Sequence, residues 1–346
     1  MKEISEISWQ VTEPEYRQHP ALSQSTLGKY ERNGRFDSIP TLFDKESSSS
    51  LTFGSLVDGL LTGTPEELNK RFLVAEFPKL EAKELAAVTA MYEGYHDKYA
   101  TVFEFSEEDL KTVLDDCDFY RKWGDDKRFA KILSEDCALY YKLLKEKENK
   151  ELINQELYNE AEATVQALRG SQASFHYFRA DKGNIKRYYQ LKFKDVIDGV
   201  EYRGMLDLII VDYENKVVIP CDLKTSSYSE HGFFKSFIKW RYDIQARLYW
   251  RLLRMAMDKD EYFKDFKLLD FRFIVVNREN RNPLVWDFAD TQKDGDLSYP
   301  ACSYPLRAPW TIGKELRHYL DDTPKVPDGI TRVGVNHLCD YLNQRP

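Results

Sequence analysis

Two acids and a lysine, carried on two neighbouring apolar segments, have the types and spacing to bind a divalent metal ion and activate a water molecule. Asp222 and Lys224 close one apolar run, and Asp207 is the only charged residue of the run before it. Side chains alternate faces along a strand, so Asp222 and Lys224 would point the same way while Leu223 points into the core. The pattern predicts a cluster of charged groups at a strand end.

The donor atoms of this cluster are those that a hard cation such as Mg²⁺ prefers, namely carboxylate and carbonyl oxygens. Asp207 and Asp222 would supply carboxylates, and the carbonyl of Leu223 would supply a third protein oxygen. Lys224 would orient or deprotonate the attacking water and stabilise charge on a transferring phosphate. The residues predict phosphodiester hydrolysis. The simpler interpretation is an ion pair between Asp222 and Lys224 at the end of a strand.

A long amphipathic helix is predicted after the second apolar run, over residues 231–257. Its apolar residues recur at spacings of three and four, and Gln245 lies on that stripe one turn before Tyr249. A buried amide must find hydrogen-bond partners, so Gln245 is either a satisfied structural residue or lines a site. The helix is also rich in basic residues, and Arg241 among them is expected to hold phosphates.

The charge of the chain is uneven. The 346 residues carry a net charge of −8, which argues against a surface coated for nonspecific DNA binding. Residues 179–203 hold seven basic against four acidic side chains, so the basic side coincides with the predicted site. This side is expected to be the face where DNA enters, with Arg203 contacting the DNA. The acidic stretch 104–118 is interpreted as a solvated outer face, with a DNA-mimicking or subunit-contact role as the alternative.

An ordered set of motifs resembles a known nuclease superfamily. The set is Gly54-x-x-x-Asp58, Gly204-x-x-Asp207, Asp222-x-Lys224 and Gln245-x-x-x-Tyr249, preceded by a Tyr16 to Tyr30 stretch that contains Ser23-x-Ser25. It resembles the PD-(D/E)XK nucleases, in the RecB-like branch and closest to the RecE-type exonucleases (exodeoxyribonuclease VIII-like). The resemblance touches residues 15–65 and 175–290, about half of the chain.

The resemblance assigns further roles and shows two departures. Asp58 stands where the family has a metal-binding histidine; it would complete the metal site, or else only accept hydrogen bonds near a helix start. Gln190 stands where many members have a glutamate, which would weaken a second metal site. Ser23, Ser25 and Lys29 would hold a terminal phosphate at a helix start, with plain helix capping as the alternative.

The function implied is an exonuclease that depends on Mg²⁺ or Mn²⁺ and digests linear double-stranded DNA from its ends. Such enzymes serve single-strand-annealing recombination, often in phages, and often as ring-shaped oligomers. A homo-oligomer, a single-strand annealing protein as partner, and the cytoplasm of a bacterium or phage-infected host are therefore expected. Two rival interpretations are a degenerate member that binds DNA or protein without cutting, and an endonuclease of the same fold.

Other cofactors and a membrane association are not expected. The five cysteines are scattered without paired spacing, so they are interpreted as reduced thiols, with no iron–sulfur cluster and no zinc site. No apolar run approaches the length of a membrane span.

The predicted fold class is α/β, with a restriction-endonuclease-like mixed sheet flanked by helices and a helical N-terminal half. One nuclease domain is expected over 1–346. Its parts would be N-terminal helices at 15–63, a helical insertion at 65–168, the catalytic core at 171–290, and a loop with closing helices at 291–346. A strand at 138–144 and a closing helix at 335–343 are also predicted.

Overall fold

A computed structural model describes residues 2–44 and 48–322 and shows a mixed α/β protein. The helices are α1 Glu13–Gln18, α2 Gln24–Arg32, α3 Ser49–Thr62, α4 Pro65–Arg71, α5 Ala82–Tyr95, α6 Glu107–Asp116, α7 Asp125–Ile132, α8 Glu135–Glu146, α9 Gln155–Gly170, α10 Phe175–Phe178, α11 Phe233–Trp240, α12 Tyr242–Asp258 and α13 Pro309–Asp322. The strands are β1 Phe72–Ala75, β2 Glu151–Asn154, β3 Ile185–Ile197, β4 Val200–Asp212, β5 Val217–Ser226, β6 Lys267–Leu268, β7 Phe271–Asn277 and β8 Pro283–Phe288. The predicted fold class, a mixed sheet flanked by helices with a helical N-terminal half, is confirmed.

The chain divides into two compact units. The first consists of residues 1–45, 180–275 and 284–346, and the second of residues 46–179 and 276–283. The sequence analysis expects one domain with a helical insertion at 65–168. The second unit corresponds to that insertion, but it begins before α3 and also includes the connection between β7 and β8.

The first unit is built on a six-stranded sheet in the order β3-β4-β5-β7-β8, with β6 pairing in parallel with β5. The pairs β3–β4 and β4–β5 are antiparallel. Helix α12 packs on β3 and β4, and α2 and α13 pack beside it. Apolar side chains from these elements form one continuous core, to which α12 contributes residues such as Ile244, Leu248 and Leu252.

The core-facing side of β4 changes partway along the strand. The core takes Tyr202 and Leu206 from the first part of β4 and Ile209 and Val211 from the second part, so the alternation reverses between Leu206 and Ile209. The pairing with β3 keeps one register on both sides of this point, joining Leu206 to Leu191 and Leu208 to Tyr189. The strand therefore breaks its regular pleat at the residue that the motif singles out.

The second unit is mainly helical and has its own core. The two-stranded parallel sheet β1–β2 accompanies α3 to α10. Buried side chains of α5, α6, α7 and α8 form this core, with Met91, Leu114 and Tyr141 fully enclosed. In the residues that the structure describes, no helix of either unit is long and apolar enough to cross a membrane.

Several predicted elements need correction. The strand predicted at 138–144 is wrong, because this segment lies within α8, whose buried residues Cys137, Tyr140, Tyr141 and Leu144 follow helical spacing. The single helix predicted at 231–257 is two helices, α11 and α12, divided at Arg241. The closing helix predicted at 335–343 lies outside the described residues.

Candidate active site

The three charged residues of the motif meet where two strands of the sheet separate. The pairing of β4 with β5 ends at Leu208 and Cys221, one residue before Asp207 and Asp222. Continuing that antiparallel register places Asp207 opposite Asp222. The Oδ2 atom of Asp207 accepts a hydrogen bond from the backbone N–H of Leu223 at 3.1 Å, which ties the first acid to the second strand.

Asp222 is the centre of the cluster. Its side chain is 1 % exposed, and its Oδ2 atom lies 2.7 Å from Nζ of Lys224. Its Oδ1 atom accepts a hydrogen bond of 2.5 Å from Nε2 of Gln245 on α12. Asp222 and Lys224 therefore share one face of β5, as their spacing predicts, whereas Leu223 is only half-buried and is absent from the core.

Lys224 is half-buried and lies among groups that stabilise its positive charge. Burial disfavours its ammonium group, but attraction to Asp222, Tyr242 and Asp207 outweighs burial and raises the pKa of Lys224 above its ordinary value. Its Nζ atom lies 4.6 Å from the centre of the Tyr242 ring, a cation–π contact. The lysine is therefore held as a cation between an acid and an aromatic face.

Tyr249 of α12 packs beside the cluster, and the position of its ring requires a glycine on β4. A Cβ atom at Gly204 would lie 2.6 Å from Cδ1 of Tyr249, so only glycine lets the ring lie directly on β4. Burial raises the pKa of Tyr249 well above its ordinary value, and Tyr16, Asp222 and Asp207 act in the same direction. The phenol is therefore neutral, and Gly204-x-x-Asp207 and Gln245-x-x-x-Tyr249 are packed against each other.

The oxygen atoms of this cluster suit a hard cation. Oε1 of Gln245 is buried and has no hydrogen-bond partner among the described residues. Asp207 and Asp222 offer carboxylate oxygens, and neither sulfur nor imidazole is among the motif residues. No group of three or more His, Cys, Asp or Glu side chains that could hold a metal ion occurs within residues 2–44 and 48–322. Mg²⁺ often uses only one or two protein carboxylates and takes its other ligands from water and substrate phosphates, so the donor set fits.

Two arginines predicted to contact DNA are instead buried in the structure. Arg241 donates from Nε to Asp243 at 2.9 Å and from Nη1 to Glu31 at 3.0 Å, and its Nη2 also donates to the carbonyl of Arg307. Arg203 lies over the Tyr16 ring, 4.8 Å from its centre, and donates to backbone carbonyls of the N-terminal segment. These guanidinium groups are occupied by protein partners, and their predicted contacts with DNA stay predictions.

The residues predicted to hold a phosphate at the start of α2 differ in their burial and in their partners. Ser23 is the N-cap of α2, and its Oγ accepts from the N–H of Thr26. Lys29 is buried and donates to the carbonyl of Asp44 at 2.6 Å, and its predicted contact with a phosphate stays a prediction. Ser25 is exposed and bonds Ser23 at 2.8 Å. Its predicted contact with a terminal phosphate stays a prediction.

Asp58 and Gln190, the two departures from the family pattern, lie in different units. Asp58 is on α3 of the second unit, and its role in completing the metal site stays a prediction. Gln190 lies on β3 between two residues that pair with the neighbours of Asp207, and its φ of +54° is in the left-handed region. A neutral amide therefore stands in strained backbone beside Asp207.

Tyr242 is the site residue that sequence reasoning missed. It was only one member of the apolar stripe of the predicted helix. The available signal was its spacing, because Tyr242 and Gln245 are three residues apart and share a helix face.

No family model matches the chain, and no curated protein matches it. Among the solved structures that match is one from Eubacterium rectale described as a "Putative exonuclease", with 13% sequence identity and a TM-score of 0.40. The match covers 90% of this chain and 83% of that one.

Proposed function

We propose that this chain is a metal-dependent nuclease that hydrolyses phosphodiester bonds in DNA. The observation that carries the proposal is the convergence of Asp207, Asp222 and Lys224 where β4 and β5 separate, with Gln245 bonded to Asp222. An ion pair that merely closed a strand end would need neither a second acid opposite nor a buried amide from another element. The motif resemblance favours the same activity.

Each residue has a distinct task in this proposal. Asp207 and Asp222 would hold Mg²⁺ or Mn²⁺, together with the carbonyl of Leu223. When bound, such an ion lowers the pKa of water and stabilises charge on a phosphoryl oxygen. Gln245 fixes the orientation of the Asp222 carboxylate, and Lys224 would contact the attacking water or the transferring phosphate.

The finer proposal is an exonuclease of the RecE type that acts on the ends of linear duplex DNA. It rests on the order of the motifs and on the serine pair at the start of α2, of which Ser25 is exposed. By the same resemblance we propose action in the cytoplasm, in phage-type single-strand-annealing recombination, as a homo-oligomer with an annealing protein.

The test is digestion of linear duplex DNA with Mg²⁺ or Mn²⁺ present, compared with a chelator. We expect wild-type digestion to require metal and to fall at least about a thousandfold in Asp222→Asn and Lys224→Ala, because several kcal/mol of transition-state stabilisation would be lost. Lys264→Ala, which removes an exposed lysine that pairs with Glu261, is the matched control and should retain full activity. Equal activity in Lys224→Ala and the control would refute the proposal.

Metal binding has a readout that does not need activity. Mn²⁺ should raise the melting temperature of the wild type, and the increase should disappear in Asp207→Asn and Asp222→Asn, because each loses a carboxylate ligand. A covalently closed circular substrate then separates the two nuclease classes. An exonuclease leaves it intact, whereas an endonuclease opens it.

A non-cutting DNA-binding protein is the second candidate, and Gln190 is the observation that favours it. An amide beside Asp207 lowers the negative charge available for a second metal ion. Retention of duplex DNA without digestion under any divalent metal would support this candidate over the nuclease.

A further inference from the structure

An aromatic face covers one side of Lys224. The Tyr242 ring lies 4.6 Å from Nζ of Lys224, on a lysine whose side chain is 17 % exposed. The contact joins the ammonium group to the face of the Tyr242 ring. A lysine side chain has four flexible carbon–carbon bonds, and an aromatic face restricts where its ammonium group can lie.

The ring itself is held firmly in place. It stacks against Phe233, at a centroid distance of 5.7 Å and an angle of 20°, and against Phe273, at 5.9 Å and 29°. Phe237 meets it edge-on at 6.5 Å. Because these neighbours belong to α11 and β7, the ring is fixed by two elements besides its own.

The backbone before Tyr242 is fixed as well. Arg241 ends α11 and precedes α12 in the left-handed conformation, with a φ of +56°. That conformation is unfavourable for a residue with a Cβ, and it persists here because Asp243 and Glu31 bind the buried guanidinium. The junction thus sets the direction in which α12 starts.

One turn of α12 contacts both Asp222 and Lys224 of β5. Tyr242 contacts Lys224, and Gln245, three residues later on the same helix face, binds Asp222. The position of the lysine relative to its acid is therefore governed from a single helical turn.

From this geometry we propose that Tyr242 is a positioning residue, whose ring holds the Lys224 ammonium group in the place required for phosphodiester hydrolysis. The inference rests on the proposed function and names a residue that the motif does not contain. The ring face performs the task, so phenylalanine can replace tyrosine and an aliphatic residue cannot.

The experiment compares Tyr242→Phe and Tyr242→Leu with Phe266→Leu, which removes a buried ring from the same core away from the site. We expect Tyr242→Leu to lower kcat on linear duplex DNA about tenfold while KM changes less than twofold. Tyr242→Phe should stay within about twofold of the wild type, and Phe266→Leu should keep its kcat although its melting temperature falls. Equal kcat losses in Tyr242→Leu and Phe266→Leu, or none in Tyr242→Leu, would overturn the proposal.

A spectroscopic readout separates this proposal from the nuclease proposal. In NMR spectra of protein with ¹³C-labelled lysine, the Tyr242 ring should shift the signal of the ε-methylene protons of Lys224 upfield. The signal is assigned to Lys224 by its loss in Lys224→Ala. The shift should survive in Tyr242→Phe and vanish in Tyr242→Leu. An unshifted signal in the wild type refutes the positioning role even if the protein cuts DNA. A shifted signal in a protein that cuts nothing supports the contact and refutes the nuclease.

Discussion

Tyr16 shows how the N-terminal segment is anchored beside the candidate site. It is buried under the Arg203 guanidinium, whose donors bind the carbonyls of Tyr16 and Ala21. Arg203 was predicted to contact DNA because its charge falls in a basic stretch. Sequence supplies the charge but not its partners, and here the partners are carbonyls from a segment about 180 residues away. A basic residue can be assigned to a nucleic acid only after its protein partners are known.

The burial of Tyr16 predicts a pH dependence of stability. Burial raises the pKa of Tyr16 to about 12, against about 10 in an unfolded chain. The neutral phenol is therefore favoured in the folded state, and its stabilising effect is complete below pH 10 and is lost as the pH rises towards 12. In that window the wild type should lose about 2–3 kcal/mol more unfolding free energy than Tyr16→Phe does.

Denaturant unfolding of both proteins between pH 9 and pH 12 measures this difference. Parallel curves would show that Tyr16 ionises in the folded protein as readily as in a free peptide. Tyr299→Phe is not a suitable control, because Tyr299 is itself bonded to Asp290.

At the scale of elements, the contact of α12 with β4 depends on the absence of a side chain at Gly204. In Gly204→Ala the new Cβ would meet the Tyr249 ring at 2.6 Å, so helix and strand must move apart. We expect a loss of about 1–3 kcal/mol of unfolding free energy from this overpacking. Urea unfolding measures it.

Gly94→Ala is the matched control for that substitution. Gly94 lies within α5, and a Cβ there would meet nothing within 4 Å. Alanine is the better helix former, so this variant should be as stable as the wild type or more stable by up to about 1 kcal/mol. A Gly204→Ala protein as stable as Gly94→Ala would contradict the packing argument.

The strands that carry the candidate site could be predicted from the sequence, but the breaks between elements could not. Runs rich in aliphatic and β-branched residues around Asp207 and Asp222 indicate β4 and β5 directly. The division of α11 from α12 carries no glycine or proline, because the left-handed Arg241 is stabilised by Glu31, which is 210 residues earlier in the chain. Tertiary ion pairs of this kind are invisible to local patterns.

Segment 138–144 illustrates a different limit. Its aromatic and aliphatic residues favour a strand, yet Cys137, Tyr140, Tyr141 and Leu144 are buried at spacings of three and four in α8. The helical period was present but needed Cys137, which lies just before the segment, to be seen. Of the candidate site, the three charged residues and Gln245 were identified from the motif, whereas Tyr242 required the structure.

At the scale of the whole molecule, the second unit has the properties of an independent folding unit. The buried cluster that contains Met91 is drawn from residues between Ala87 and Leu144, inside a continuous segment of the chain. A fragment of residues 48–179 should therefore unfold cooperatively on its own. Heating with detection by circular dichroism tests this expectation, and Met91→Ala should destabilise the fragment by about 2–5 kcal/mol. A gradual, featureless melt would show that the core needs the rest of the protein.

The reversal of the core-facing side within β4 limits which mutations this part of the chain tolerates. Substitutions near Asp207 change one side chain, but the loss or gain of a single codon between Leu206 and Ile209 would shift the second half of the strand by one residue and so by one face. Ile209 and Val211 would then turn to the opposite face. Related sequences should therefore differ here by replacement and never in length.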